Sequence, residues 1–231
     1  EQALKVFSPN DKMVLNKDGS TPLYIAVKNG HINIIKILLE NKADPNMSNN
    51  DGNTPLITAS NHSGEKARNI VKLLLANGAK PNKSNNSGLT PLMLSASKGN
   101  LDIVKVLLSE GAHPDEKETR YGASALFYAA QEGHLNIVNE LLKYGAVFIK
   151  ITTGYGPLEV AEERGHRAVA EAIRVAMLPP PDTNNIDSFS SRSPSRNNSS
   201  PIFLRNSPES GSENNNSLIF LLNSCLYFLL S

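Results

Sequence analysis

The stretch Asp18-Gly19-Ser20-Thr21-Pro22-Leu23 returns as Asp51-Gly52-Asn53-Thr54-Pro55-Leu56 and again as Ser87-Gly88-Leu89-Thr90-Pro91-Leu92. Its threonine advances by 33 and then by 36 residues, and two weakened forms follow, Ser124-Ala125-Leu126 after another 34 and Gly156-Pro157-Leu158 after 32. Self-similarity at this period marks a chain assembled by stacking one small unit, because a unit so short cannot bury its own apolar face. Five copies predict a solenoid and not a globule around a single core.

The residues of one copy specify a helical hairpin. A hydroxyl residue directly before proline suits a helix start, with Thr21 as the cap and Pro22 in the first helical position, where its missing N–H costs nothing. Leu23 and Ala26 then share a face by three-residue spacing, and Gly30 offers a left-handed stop. About two turns of helix do not persist alone. A second helix follows, carrying Ile34, Ile35, Leu38 and Leu39, and the same stripe recurs as Ile70, Val71, Leu74 and Leu75, as Ile103, Val104, Leu107 and Leu108, and as Ile137, Val138, Leu141 and Leu142. Gly78-Ala79, Gly111-Ala112 and Gly145-Ala146 end these helices, and Pro45, Pro81 and Pro114 follow the turn. Burying one such leucine or isoleucine contributes roughly 1.5 to 3 kcal/mol, too little per hairpin to offset backbone ordering, so neighbouring copies must complete the core.

The Gly-x-Thr-Pro-Leu opening, the Gly-His pairs Gly30-His31 and Gly133-His134, the Ile/Val-x-x-Leu-Leu run and Ala43-Asp44-Pro45-Asn46 resemble ankyrin repeats over about residues 16 to 178. The resemblance implies an all-α ankyrin-repeat solenoid of helix-turn-helix units with short hairpin or loop tips. Two departures stand out. The usual histidine after Thr-Pro-Leu is Tyr24, Ile57, Met93, Phe127 and Glu159, and the second copy carries three extra residues around Ser63 to Arg68, between its helices. Tyr24, Met93 and Phe127 read as scaffold. Lys42 stands where Gly78 and Gly111 stand in later copies, which predicts a side-chain-bearing residue in left-handed backbone.

The domain organisation follows: residues 1–15 as the remnant of a degenerate N-terminal repeat, then repeats at 16–48, 49–84, 85–118, 119–150 and 151–178. The last reads as a capping copy, since Arg174 replaces the second leucine of the stripe among Glu162, Glu163, Arg164, Arg167 and Glu171. Ala146-Val147-Phe148-Ile149 replaces the polar turn of earlier copies and is expected to pack beneath that cap. Residues 179–217, rich in Ser, Asn and Pro, read as a disordered linker in which Ser193, Ser200 and Ser207, each before proline, are candidate phosphosites. Residues 218–231 form a short hydrophobic C-terminal segment, below the length of about 20 residues that a bilayer span needs.

Charge and cysteine narrow the function classes. The 231 residues hold 23 Lys and Arg against 22 Asp and Glu, and neither residues 1–178 nor the remainder is a polycation, so nucleic acid is not implied. One cysteine, Cys225, cannot form an internal disulfide framework and fits a reducing compartment, which gives a cytoplasmic expectation with the nucleus also compatible; a membrane tether through 218–230 is the lesser alternative. His31, His134 and His166 recur because they share one place in the repeat, and there is no paired-histidine, paired-cysteine or Gly-rich phosphate motif. No metal, cofactor or catalytic residue is expected.

What remains is a non-catalytic scaffold or adaptor, expected as a monomer, that binds a protein through the tips and the exposed sides of the first helices. Carrying the family's contact places onto this sequence gives Lys17, Asp18, Lys28 and Asn29; Asn50, Asp51 and Asn61; Ser87, Leu89, Ser97 and Lys98; and Arg120, Tyr121, Gln131 and Glu132. Arg120, Tyr121 and Leu89 lead that set. The alternatives are the regulatory or targeting portion of a larger enzyme, such as a kinase or ubiquitin ligase, and a membrane-tethered adaptor.

Overall fold

The computed structural model describes residues 16–178. The segments 1–15, 179–217 and 218–231, and with them Ser193, Ser200, Ser207 and Cys225, lie outside the described residues. Among the described residues every regular element is a helix. In chain order these are α1 Pro22–Lys28, α2 Ile32–Glu40, α3 Pro55–Ser60, α4 Glu65–Ala76, α5 Pro91–Ser97, α6 Leu101–Ser109, α7 Ala125–Gln131, α8 Leu135–Lys143, α9 Pro157–Glu163 and α10 Arg167–Met177.

Each pair is one copy of the repeat, and its ends form as the sequence dictates. The hydroxyls of Thr21, Thr54, Thr90 and Ser124 accept the backbone N–H three residues on, at 3.1, 3.2, 3.3 and 3.4 Å. That satisfies one of the donors every helix start leaves unpaired. The second helices end in a doubly bonded turn. Ala79 N–H reaches the Leu74 carbonyl and Gly78 N–H reaches that of Leu75, both at 3.0 Å, and the arrangement repeats at Gly111-Ala112 and Gly145-Ala146. In the first copy Lys42 makes the same turn with φ of 67°, as its sequence position predicts.

The core is a row of equivalent residues. Leu23, Leu56, Leu92 and Leu126 of the first helices, with Leu74, Leu107, Leu141 and Ile173 of the second, are buried. Tyr24, Ile57, Met93 and Phe127 are buried beside them, so the residues that replace the family's histidine in the first four copies are indeed scaffold. Successive first helices pack closely along the whole series, while α4 on α6 and α6 on α8 touch more sparsely.

Two expectations are corrected. The three extra residues of the second copy do not form a long loop between its helices; α4 has 12 residues where α2, α6 and α8 have nine, and the connection before it, 61–64, exceeds the others by one residue only, which α3 gives up. Glu65-Lys66-Ala67-Arg68 are strong helix formers with a carboxylate in the first turn, so extending the helix is favoured over a longer loop. Arg68 then bridges to Asp102 of the next copy at 3.1 Å. Of Ala146-Val147-Phe148-Ile149, Ala146 is buried and Phe148 and Ile149 are half-buried, but Val147 is exposed, with its N–H held by Asp115 Oδ1 at 2.9 Å, so the segment is covered only in part.

Candidate protein-interaction face

Three sets of hydrogen bonds tie copy to copy and so fix what is left for a partner. At the tips, one backbone bond joins each copy to the next: Asn50 N–H to the Asp18 carbonyl, Asn86 to Asp51, Thr119 to Ser87 and Thr152 to Tyr121, all 2.9 to 3.0 Å. The approach leaves no room at Gly19, Gly52 and Gly88, the glycines of the first three tips; a Cβ on Gly52 would sit 2.6 Å from Asn86 N, at a φ of 81°. Where the first helices end, Asn100 Nδ2 donates to the His62 carbonyl at 2.7 Å, and His134 and His166 Nε2 donate to those of Ser97 and Gln131 at 3.0 Å. A carbonyl only accepts, so both rings carry a proton on Nε2. After the second helices, Asn46 holds Gly78 and Lys80, and Asn82 holds Gly111 and His113.

The sequence-predicted contact residues fall into three groups around this framework. Lys17, Asp18, Lys28, Asn29, Asn50, Asp51, Asn61 and Arg120 are exposed, and Ser87, Ser97, Lys98, Tyr121 and Glu132 are half-buried. Leu89 and Gln131 are 7% and 2% exposed, so neither presents its side chain. Leu89 lies beside the tip turn, where its N–H is held by Asn85 Oδ1, and Gln131 donates to Glu132 at 2.9 Å. Several of the others also spend backbone groups on the neighbouring copy: the Lys17, Asn50 and Ser87 carbonyls accept side-chain bonds from Asn50, Asn86 and Thr119.

The residue that sequence reasoning missed is Glu118. In the first three tips an asparagine, Asn16, Asn49 or Asn85, folds its Oδ1 back onto the N–H groups two and four residues on. The fourth tip closes from Glu118 to Ala123, one residue longer than the others. The longer glutamate side chain spans the larger loop: buried at 5% exposure, its carboxylate takes the N–H groups of Arg120, Tyr121 and Ala123 at 2.5, 2.6 and 3.2 Å. The signal was in the sequence, in four residues from Glu118 to Gly122 against three from Asn85 to Gly88. The enlarged tip carries Arg120 with its guanidinium 5.0 Å from the centre of the Tyr121 ring.

The far end of the stack is finished with charge. Arg174 pairs with Glu162 and, at 3.2 Å, with Glu171, and the Glu162 hydrogen bond raises its pKa further. Glu159 in the first turn of α9 accepts the Gly156 N–H at 3.0 Å and faces Lys150 at 3.0 Å. Partial burial pushes its carboxyl up, but the backbone N–H groups and Lys150 outweigh that and hold it below the ordinary value.

Among the described residues no group of three or more His, Cys, Asp and Glu side chains could hold a metal, and no helix is long and apolar enough to cross a membrane. Two open depressions of about 340 and 400 Å³ flank the added turn of α4, one beside Arg68 and Asp102, the other between His31 and Lys66.

A family model describing ankyrin repeats in three copies matches residues 1–85, 62–153 and 92–174, which together cover most of the sequence. The chain belongs to the ankyrin repeat family. A stretch of 56 residues is 48% identical to an ankyrin repeat protein of Fowlpox virus (strain NVSL), covering 24% of this chain and 7% of that protein. Another match, of 48 residues at 46% identity, is to an ankyrin repeat protein of Rickettsia bellii (strain RML369-C), covering 21% of this chain and 6% of that protein. The aligned stretches therefore span less than a tenth of either relative. Ankyrin repeats are in general protein–protein interaction modules, an extended stack whose tips vary while the framework stays fixed.

Proposed function

We propose that this ankyrin stack is a non-catalytic scaffold or adaptor that captures a partner protein along its tips and the exposed sides of its first helices. The fourth tip carries the reading. There an added residue is held out by a buried carboxylate, and it presents a paired Arg120 and Tyr121, the side-chain types that most often anchor protein interfaces. Lys17, Asp18, Lys28, Asn50, Asp51, Asn61, Lys98 and Glu132 extend the face to either side. Its mixed charge favours a protein over a polyanion.

Affinity capture with the full chain, followed by mass spectrometry, tests this. Arg120→Ala or Tyr121→Ala should lose the captured protein while leaving the unfolding midpoint in place. Retention of the same protein by both variants, or an equal loss of stability in each, would overturn the assignment. The length of the relatives favours a second reading, in which the stack is the docking portion of a larger protein. In that case the partner recovered by the stack is the substrate or regulator of chemistry held elsewhere.

A further inference from the structure

The two ends of the described stack are built differently. At the last copy, the place that buries Val27, Ser60, Ala96 and Ala130 is taken by exposed, ion-paired Glu162. At the first copy no such replacement has occurred. Ile34 is 49% exposed, although its equivalents Ile70, Ile103 and Ile137 are 3%, 2% and 1% exposed. Leu38 is half-buried where Leu74, Leu107 and Leu141 are fully buried, and Ile25 is exposed where Leu94, Tyr128 and Val160 are buried. Each of these residues has its own hairpin partner. What the first copy lacks, and the later ones have, is a described predecessor. Ile25, Ile34, Ile37 and Leu38 are therefore one half of an inter-copy contact.

We propose that residues 1–15 of this chain supply the other half, with Val6 and Phe7 seated on Ile34, Ile37 and Leu38. The leucine pair precedes the next tip residue by a nearly constant distance: Leu38-Leu39 by 11 and 10 before Asn49, Leu74-Leu75 by the same before Asn85, and Leu141-Leu142 by 10 and 9 before Ile151. Val6-Phe7 stand 10 and 9 before the equivalent Asn16, as Leu141-Leu142 do before Ile151, and Ala3 stands three further back, as Ile35 does before Leu38. The ankyrin family match also begins at residue 1 and runs through this segment. The apolar residues 218–230 would have to return across the linker 179–217, at a larger closure entropy than a segment joined directly to Asn16.

Amide hydrogen exchange on the full chain tests the proposal. Phe7→Asp should speed exchange in α2, at Ile35 to Leu39, by about ten- to a hundredfold, the factor that burying one large apolar side chain is worth, while leaving α8 unchanged. Phe7→Leu should retain most of the protection. In an Ile34→Ala, Ile37→Ala background, Phe7→Asp should add little, because the contact it breaks is already gone. Unchanged α2 exchange in Phe7→Asp, or an effect equally large in both backgrounds, overturns the proposal. So does faster α2 exchange on removal of residues 218–231 with no response to Phe7→Asp. A concentration-dependent dimer that Ile37→Asp abolishes and Phe7→Asp does not would assign the face to a second copy instead, and would equally overturn it.

Discussion

Lys42 occupies the left-handed position that glycine fills in the next three copies, with φ of 67° against 87°, 83° and 82° at Gly78, Gly111 and Gly145. A side chain in that conformation costs roughly 1 to 2 kcal/mol because its Cβ crowds the following carbonyl. Glycine escapes this but gives the unfolded chain more freedom, a counter-term of about 0.4 to 1 kcal/mol. The difference makes Lys42→Gly stabilising by about 1 kcal/mol, or about 2 to 4 °C in the unfolding midpoint of a domain this size. The reverse changes are internal controls. No atom lies within 4 Å of a Cβ added at Gly78, Gly111 or Gly145, so lysine there should cost the same backbone strain and nothing more. Lys42 takes part in a further interaction, and Lys42→Ala measures that contribution because alanine keeps the Cβ. Urea unfolding of the full chain, followed by far-ultraviolet circular dichroism, reads all five variants on one scale. A Lys42→Gly midpoint equal to or below the parent's would refute the argument, as would a Gly78→Lys variant without loss.

Leu107→Ala, at a fully buried position shared by two neighbouring copies, should cost about 2 to 5 kcal/mol by the same urea measurement. Glu118→Ala strands three tip N–H groups and should lower stability by about 1 to 3 kcal/mol, whereas Glu118→Gln keeps an acceptor and should recover most of it; equal losses would show that the carboxylate does not organise the tip. Glu159 has a lowered carboxyl pKa in the folded chain, so its contribution is present above the ordinary carboxylate range and disappears as pH falls through the folded value. Glu159→Gln should therefore reduce stability at pH 7, by a few tenths to about 1 kcal/mol for a half-buried first-turn carboxylate, and become indistinguishable from the parent in acid; a constant difference across pH would count against the assignment.

The fold was legible because its signals are local and repeated. Thr-Pro fixed the opening of three copies, Gly-Ala the second-helix end of three, and the Ile/Val-x-x-Leu-Leu stripe the buried face, so even the left-handed Lys42 could be placed by alignment of the copies. The added turn of α4 was misplaced because counting residues gives the size of an insertion and not its conformation; propensity at Glu65 to Arg68 was the stronger guide. The interaction face was only partly legible. Exposure at Leu89 and Gln131 is decided by how closely adjacent copies approach, which no single repeat encodes, and Glu118 becomes informative only when its tip is measured against the three before it.

The charged finish of the last copy also bears on self-association. Seating the apolar Ile34 and Ile37 side of one molecule on the closing side of another would strip water from Glu162, Arg174 and Glu171 without offering them new partners. Head-to-tail polymerisation, the natural hazard of a modular rod whose units are built to adhere, is thereby disfavoured at each encounter. One ion-paired rim thus raises the cost of extending the series beyond its last copy.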